Sequence, residues 1–368
     1  MSNTLHTEGV FTAAALQTAV ENGAIRLSGR ASDGQIQPAS LDLTLGAKAW
    51  RVRASFLPGV GRSVAECVSG RLFMHELDLR DSAVLERGCV YLVELQEQLR
   101  LPSDVSAFAN PKSSTGRIDV FVRLVTDQGT AFEQVPAGYN GKLYAEISPK
   151  TFSIIVRAGS SLNQLRLKRG EILFGDEELK VRHEEAPLVS DTGRIAQGLR
   201  LTVQLSGSDG EIIGFRARRH AGLIDVDCVG ALDPADYWEP IFARPDPHLI
   251  LDPDEFYILA SKEWLRIPPD LAAEMVAIDP LVGEFRAHYA GFFDPGFGWD
   301  EASEAGSRAV LEVRGHDAPF VLEDGQLVAR LVYERLCGTP ERLYGTDMAS
   351  NYQGQGLKLS KHFKPWQD

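Results

Sequence analysis

The feature that most constrains this chain is a duplication. Leu85 to Asp104 aligns without gaps onto Leu251 to Asp270, at an offset of 166. Inside the block, Tyr91-Leu92-Val93 matches Tyr257-Ile258-Leu259. Leu99-Arg100-Leu101-Pro102-Ser103-Asp104 matches Leu265-Arg266-Ile267-Pro268-Pro269-Asp270. The same offset carries Glu146 onto Glu312, each within a short apolar segment, and Leu165 to Gly170 resembles Phe320 to Gly325. A chain of 368 residues made of two related halves is expected to fold as two similar domains with a sizeable core.

The local pattern names the kind of domain. Residues 11–22 read as a short helix, with Leu16 and Val20 on one face and Gly23 as its stop. From Ser40 onward the chain alternates, as in Ser40-Leu41-Asp42-Leu43-Thr44-Leu45-Gly46, and apolar runs are separated by turns rich in Gly, Pro, Asp and Asn. Val90 to Leu95, Ile118 to Val125, Leu143 to Ile147 and Phe152 to Val156 read as strands in the first half. Leu199 to Leu205, Phe256 to Ala260, Ala309 to Val313 and Leu327 to Tyr333 do so in the second. Long helical periodicity is absent, so the expectation is a mainly β fold of short strands, sandwich or barrel. The charged stretch with Pro187, Ser190 and Gly193 suggests domains at 1–182 and 198–368, joined by a linker at 183–197.

Composition narrows the function. The net charge of −13 argues against binding duplex nucleic acid, which needs a basic face. No apolar run approaches a membrane span, and the N-terminus shows no signal peptide, so a cytoplasmic protein without membrane contact is expected. Cys67, Cys89, Cys228 and Cys337 are scattered, with no Cys-x-x-Cys. His183-Glu184-Glu185 is formally a His-x-Glu, but without a Cys-x-x-Cys it lacks the rest of a deaminase zinc shell. No zinc is expected.

The chemistry-bearing motifs are divided between the halves. The first carries Lys112-Ser113-Ser114-Thr115-Gly116-Arg117 after Asn110-Pro111: hydroxyls, freed backbone N–H groups and a guanidinium, a set suited to phosphate. At the same offset the second half has Asp279-Pro280-Leu281-Val282-Gly283. It carries instead Ala290-Gly291-Phe292-Phe293-Asp294-Pro295-Gly296-Phe297, whose counterpart Val135-Pro136-Ala137-Gly138-Tyr139 lacks the Asp. Each copy therefore holds half of a site. By composition the tail, residues 344–363, rich in Gly, Gln and Ser, reads as a flexible end.

Taken in order, these motifs resemble dCTP deaminase of the dUTPase-like superfamily, in a duplicated two-domain form. The resemblance covers nearly the whole chain. It rests on the N-terminal helix, Pro38 to Gly46, Leu99-Arg100-Leu101-Pro102 leading into Ser113 to Arg117, Ala290 to Phe297 running to Leu311-Glu312, and the tail from Tyr344 to Gln355. It implies two tandem β-clip (distorted jelly-roll) domains and zinc-independent hydrolysis of dCTP to dUTP and ammonia. Glu312 would be the general base for attack of water at C4 of cytosine, with Glu146 the second candidate. Arg117 and Ser113 would complete the catalytic set. Substrate contacts would come from Ser114, Lys112, Gly116, Ala290, Asp294, Phe297, Tyr344, Tyr352 and Gln355. The family usually has a Lys before the Tyr of the tail motif, where this chain has Asn351.

The resemblance further implies Mg²⁺ on the triphosphate and a homo-oligomer. It also suggests a composite site in which Ser113, Ser114 and Arg117 face Ala290, Asp294 and Glu312. The residues agree with this chemistry. Without a metal, an activated water needs a carboxylate base, and desolvation beside Val310, Leu311 and Val313 would raise the pKa of Glu312 towards working pH. Alternatives are a dUTP diphosphatase, a bifunctional enzyme taking dCTP to dUMP, and a β-module that binds nucleotide without turnover.

Overall fold

The computed structural model describes residues 8–189, 194–277, 285–287, 291–300, 305–315, 317–345 and 352–367. The chain forms two compact units. Unit 1 comprises Met1–Ile172, Gly222–Ala231 and Leu336–Glu341; unit 2 comprises Leu173–Ala221, Leu232–Arg335 and Arg342–Asp368. Both are mainly β. The described helices are α1 (Ala13–Glu21), α2 (Val64–Cys67), α3 (Ser113–Gly116) and α4 (Asp176–Glu185), besides short π and 3-10 turns.

Unit 1 is built on two larger sheets. One runs Gly9–Val10, Asn163–Arg169, Val105–Pro111, Gln134–Val135, with Leu41–Leu43 also paired to Asn163–Arg169. The other runs Phe73–Asp78, Leu45–Val52, Val90–Arg100, Asn140–Pro149, Val120–Thr126, with Ile25–Arg26 on Val90–Arg100. Leu41, Leu43, Leu45, Leu92, Val93, Leu165 and Leu167 are fully buried, which is the reason these alternating apolar runs become strands. In unit 2 the corresponding sheets run Leu199–Thr202, Leu327–Arg335, Leu271–Ala277, Phe292–Phe293, and Trp238–Phe242, Ile212–Ala217, Phe256–Leu265, Ser307–Gly315, Phe285–Ala287.

The duplication is written into strand register. Glu146 pairs with Leu92 and Glu312 with Ile258. Ala107 pairs with Leu167, and Ala273 with Tyr333. The backbone N–H of Glu86 donates to Tyr91 Oη at 3.0 Å, and that of Asp252 to Tyr257 Oη at 3.0 Å. Each of these correspondences keeps the offset of 166.

That register corrects one expected match. Ile154 pairs with Leu85 and Phe320 with Leu251, while Leu165 pairs with Ala109 and Leu331 with Met275. Phe320 to Gly325 therefore corresponds to Ile154 to Gly159, not to Leu165 to Gly170. An apolar run ending in Gly occurs twice in the first repeat, so composition alone could not choose between them; the hydrogen-bonded ladder does.

Two further expectations change. The segment expected as a linker is in part helical: α4 crosses residue 183, and Leu179, Leu188 and Val189 are buried in the unit 2 core. α4 is the second repeat's version of α1. Phe11 N donates to Leu167 O at 2.9 Å ahead of α1, and Phe174 N donates to Tyr333 O at 3.0 Å ahead of α4. His183 Nδ1 accepts from the Leu188 N–H at 3.1 Å.

The tail is packed rather than flexible over residues 352–363. Tyr352, Leu359 and Phe363 are buried, and Phe363 lies 5.3 Å from the Tyr237 ring and 5.9 Å from the Trp238 ring. Three apolar anchors outweigh the polar composition around them.

Candidate functional site

The Ser113 to Arg117 turn, in unit 1, is a one-turn helix placed at the end of a strand. Val105–Pro111 ends in Pro111, and Lys112, with extended backbone, precedes α3. Lys112 O accepts the N–H groups of Thr115 at 2.8 Å and Gly116 at 3.0 Å, and Arg117 N donates to Ser113 O at 3.0 Å. The turn is sunk into unit 1: Ser114, Thr115 and Arg117 are all buried, Arg117 to 3% exposure. A buried guanidinium at the end of a hydroxyl-bearing turn can hold an anion or offset charge building on a substrate.

Lys112 has a different setting from the one expected. Its Nζ is ion-paired to Asp42 Oδ2, on the strand Leu41–Leu43. Asp42 is itself buried, and Gln35 ties it in: Asp42 N donates to Gln35 O at 2.9 Å and Gln35 Nε2 donates to Asp42 O at 3.1 Å. Asp42 carried no expected role, although it stands in the middle of the alternating Leu-Asp-Leu-Thr-Leu motif. A charge on a strand whose other residues bury is the signal that marks it.

The same network holds Glu97. Its carboxylate accepts from Thr44 N at 2.9 Å, Thr44 Oγ1 at 2.6 Å and Gln35 Nε2 at 2.8 Å. Desolvation pushes its pKa up, with the Thr44 and Gln35 hydrogen bonds opposing. Glu263 repeats this clasp in unit 2, accepting from Thr202 N at 2.9 Å and Thr202 Oγ1 at 2.6 Å.

Glu146, the second candidate base, lies on Asn140–Pro149 beside Arg123. Arg123 Nε donates to Glu146 Oε1 at 3.1 Å, and the guanidinium sits 3.5 Å from the centre of the Phe132 ring. This carboxylate is neutralised by a neighbour within its own sheet.

The residues expected to supply the other half of the site lie in unit 2. Glu312 lies on Ser307–Gly315, between Leu311 and Val313, and is 4% exposed. The strand is buried on both faces, so Glu312 is not a surface position of an alternating strand. Arg308 is four residues earlier and so on the same face. It was not anticipated from sequence. Its guanidinium stacks on Trp264 at 4.8 Å, and burial pushes its pKa down.

The Asp-Pro-Gly hairpin is in the same unit. Asp294 is buried, its carbonyl accepting from Phe297 N at 3.1 Å. Phe293 and Phe297 meet edge to face at 5.0 Å, and Phe297 lies 5.7 Å from Tyr344. Tyr344 N donates to Pro295 O at 2.8 Å. In unit 1, Val135 pairs with Ala107 as Phe293 pairs with Ala273, so Pro136 stands where unit 2 has Asp294. Proline offers no carboxylate, and the asymmetry expected from the motifs is present in the backbone register.

Gln355 is buried, and its Nε2 donates to Arg308 O at 3.0 Å while Arg308 N donates to Gln355 O at 2.9 Å. Tyr352 packs into the core of unit 2, its hydroxyl accepting from Lys361 N at 3.2 Å. The neighbouring Gln353 braces the hairpin: its Oε1 accepts from Gly298 N at 3.0 Å and its Nε2 donates to Gly296 O at 3.2 Å. Ala290, and Asp279 to Gly283, lie outside the described residues. Among the described residues, no group of three or more His, Cys, Asp or Glu side chains is placed to hold a metal ion.

Comparison with known proteins places both repeats in one family. Residues 7–171 match the family described as 2'-deoxycytidine 5'-triphosphate deaminase (DCD) N-terminal domain, and residues 175–363 match its C-terminal domain. The crystal structure of 2'-deoxycytidine 5'-triphosphate deaminase from Agrobacterium tumefaciens is 50% identical, with a TM-score of 0.86, over 91% of this chain and 100% of that one. A dCTP deaminase, dUMP-forming, from Beutenbergia cavernae is 31% identical over 151 residues, 39% of this chain and 74% of the relative. A dCTP deaminase from Natronomonas pharaonis is 28% identical over 122 residues, 33% of this chain and 59% of the relative. Two domain profiles matched in order along the chain, over a backbone that repeats itself in register, mean that this protein belongs to the 2'-deoxycytidine 5'-triphosphate deaminase family.

Proposed function

We propose that the chain hydrolyses dCTP to dUTP and ammonia, with Glu312 as general base. The observation that carries this reading is the burial of the Glu312 carboxylate on a strand closed on both faces, in the unit that also holds the Asp294 hairpin. Glu312 would take a proton from the water that adds to C4 of cytosine and return it as the amino group leaves as ammonia. Arg117 would offset charge developing at the ring, and Ser113 and Ser114 would hold the water and ligand. Asp294 would accept from the deoxyribose 3'-hydroxyl, with Phe297 packed against the sugar face and disfavouring a 2'-hydroxyl. Tyr344 and Gln355 would contact the nucleotide. Mg²⁺ enters as a companion of the triphosphate, held by phosphate oxygens and water.

A second reading has a specific support: the Beutenbergia cavernae relative and several others are named dUMP-forming. Incubation with dCTP and Mg²⁺, followed for ammonia, dUTP, dUMP and pyrophosphate, separates the two. Ammonia with dUTP and no pyrophosphate is the expected outcome. Pyrophosphate in step with ammonia moves the assignment to the dUMP-forming reaction, and absence of ammonia rejects both.

A further inference from the structure

Unit 1 contains an open groove of about 290 Å³. The groove lies against α1, and its walls include Phe11, Ala15, Ala19, Leu101, Val105 and Arg169. Its volume is close to the lower end of small-ligand sites, at about 300 Å³. The walls are mostly apolar, and Arg169 supplies one cation. That guanidinium is 5.4 Å from the Phe11 ring. Its ion-pair partner is Asp104 at 2.8 Å, with side chains 35% and 59% exposed. So exposed a pair is held weakly and can be exchanged for another anion.

The second repeat shows what belongs in this place. Phe174 matches Phe11, Leu179 matches Leu16, and Arg335 matches Arg169 by register. The Arg335 guanidinium lies 4.3 Å from the Phe174 ring, as Arg169 lies over Phe11. On this alignment Ala15 stands where unit 2 has Glu178, and Ala19 where it has Arg182. Glu178 places its carboxylate on Arg335 Nη2, with Oε1 at 2.5 Å. Arg182 Nη2 donates to Asp270 at 2.6 Å, Asp270 being the counterpart of Asp104. Unit 2 thus fills the site from its own helix with a carboxylate on the arginine. Unit 1 has two methyl groups there.

We propose that the α1 groove of unit 1 is a binding site for a small carboxylate with an apolar or aromatic body. The carboxylate would take the place on Arg169 that Glu178 takes on Arg335, displacing Asp104. The apolar body would cover Ala15, Ala19, Leu101 and Val105, where burial of apolar surface adds to the charge-assisted hydrogen bonds. The lining includes no residue of Ser113 to Arg117 or of the Asp294 hairpin, and nothing in the deamination chemistry uses it.

The test uses the full chain and three probes of one shape: 3-phenylpropionate, 3-phenylpropanamide and 3-phenylpropylamine, titrated by calorimetry. Saturable binding of the carboxylate is expected, at least about tenfold tighter than the amide or the amine. Ala15→Glu, which supplies the carboxylate from the helix as unit 2 does, should abolish binding. Arg169→Gln should weaken it by about tenfold or more. Cys337 also lines the groove, so its alkylation, read by peptide mass, should slow in the presence of 3-phenylpropionate. The proposal is overturned if the carboxylate does not saturate, if the three probes bind alike, or if Ala15→Glu binds 3-phenylpropionate as the parent does.

Discussion

Lys112 Nζ is ion-paired to Asp42 Oδ2 across 70 residues of sequence, and this contact anchors the start of α3. The lysine is therefore engaged by a partner on Leu41–Leu43, a strand separated from Val105–Pro111 by Asn163–Arg169. The pair holds the residue from which the turn carrying Ser113, Ser114 and Arg117 starts. Because both side chains are largely buried, removing one leaves the other charge poorly solvated. Asp42→Asn should cost about 1–3 kcal/mol in urea unfolding. It should also lower kcat/KM for dCTP. A double-mutant cycle with Lys112→Met should show coupling between the two sites; additive effects would mean that the pair does not hold the turn.

The two candidate bases are at matched positions in the two repeats, each between two fully buried apolar neighbours. Glu146 is ion-paired to Arg123 of its own sheet, and Glu312 shares its unit with the Asp294 hairpin. Glu312→Gln should lower kcat by about 10²-fold or more, with dCTP binding retained. Glu146→Gln should act mainly on stability, through an Arg123 left without its carboxylate. A dead Glu146→Gln beside an active Glu312→Gln would reverse the assignment.

The Asp294 hairpin depends on a glycine that no other residue can replace without movement. Gly298 has φ +64, and a Cβ there would lie 2.1 Å from Leu265 O. Gly298→Ala should destabilise by at least about 2 kcal/mol, measured by denaturant unfolding. It should also raise KM for dCTP, because the Gln353 brace and the Asp294 turn move with it. Unchanged KM at reduced stability would separate the hairpin from substrate binding.

Acid should weaken unit 2 through Asp324. Desolvation by itself would raise the pKa of this carboxyl. Lys262 and the N–H groups of Leu205 at 2.8 Å and Ser206 at 3.1 Å outweigh burial and hold it below the usual value. A folded pKa below the unfolded one stabilises at pH above the unfolded pKa, about 3.9 for Asp, and the contribution is lost as pH falls through the folded value. Urea midpoints between pH 7 and pH 3 should therefore fall more steeply in the parent than in Asp324→Asn. Parallel curves would show that Asp324 does not contribute to the acid limb.

How much of this was legible in the sequence can be judged from particular residues. The alternation of Leu41, Leu43 and Leu45, and the block from Leu85 to Asp104, carried the β class and the duplication. Strand side chains repeat every second residue, and strand pairing preserves a common offset, so sequence periodicity maps directly onto register. The separation of the Ser113–Arg117 turn from the Asp294 hairpin was legible for the same reason. α4 was not, because Leu179 is the only buried residue of a charged ten-residue segment and leaves no apolar stripe to detect.

The sequence by itself determined two related β-rich halves and which half carries each motif, because these are properties of spacing along the chain; the ladder was needed to register Phe320 to Gly325 on Ile154 to Gly159. The tertiary structure alone decided what each charged group meets. Lys112 finds Asp42, Glu146 finds Arg123, Arg335 finds Glu178, and the packed tail finds Tyr237 and Trp238. Such contacts join residues distant in sequence, and their strength depends on burial, which no local pattern records. Arg169, opposite Ala15 instead of a glutamate, is where that difference opens a site that the motifs did not announce.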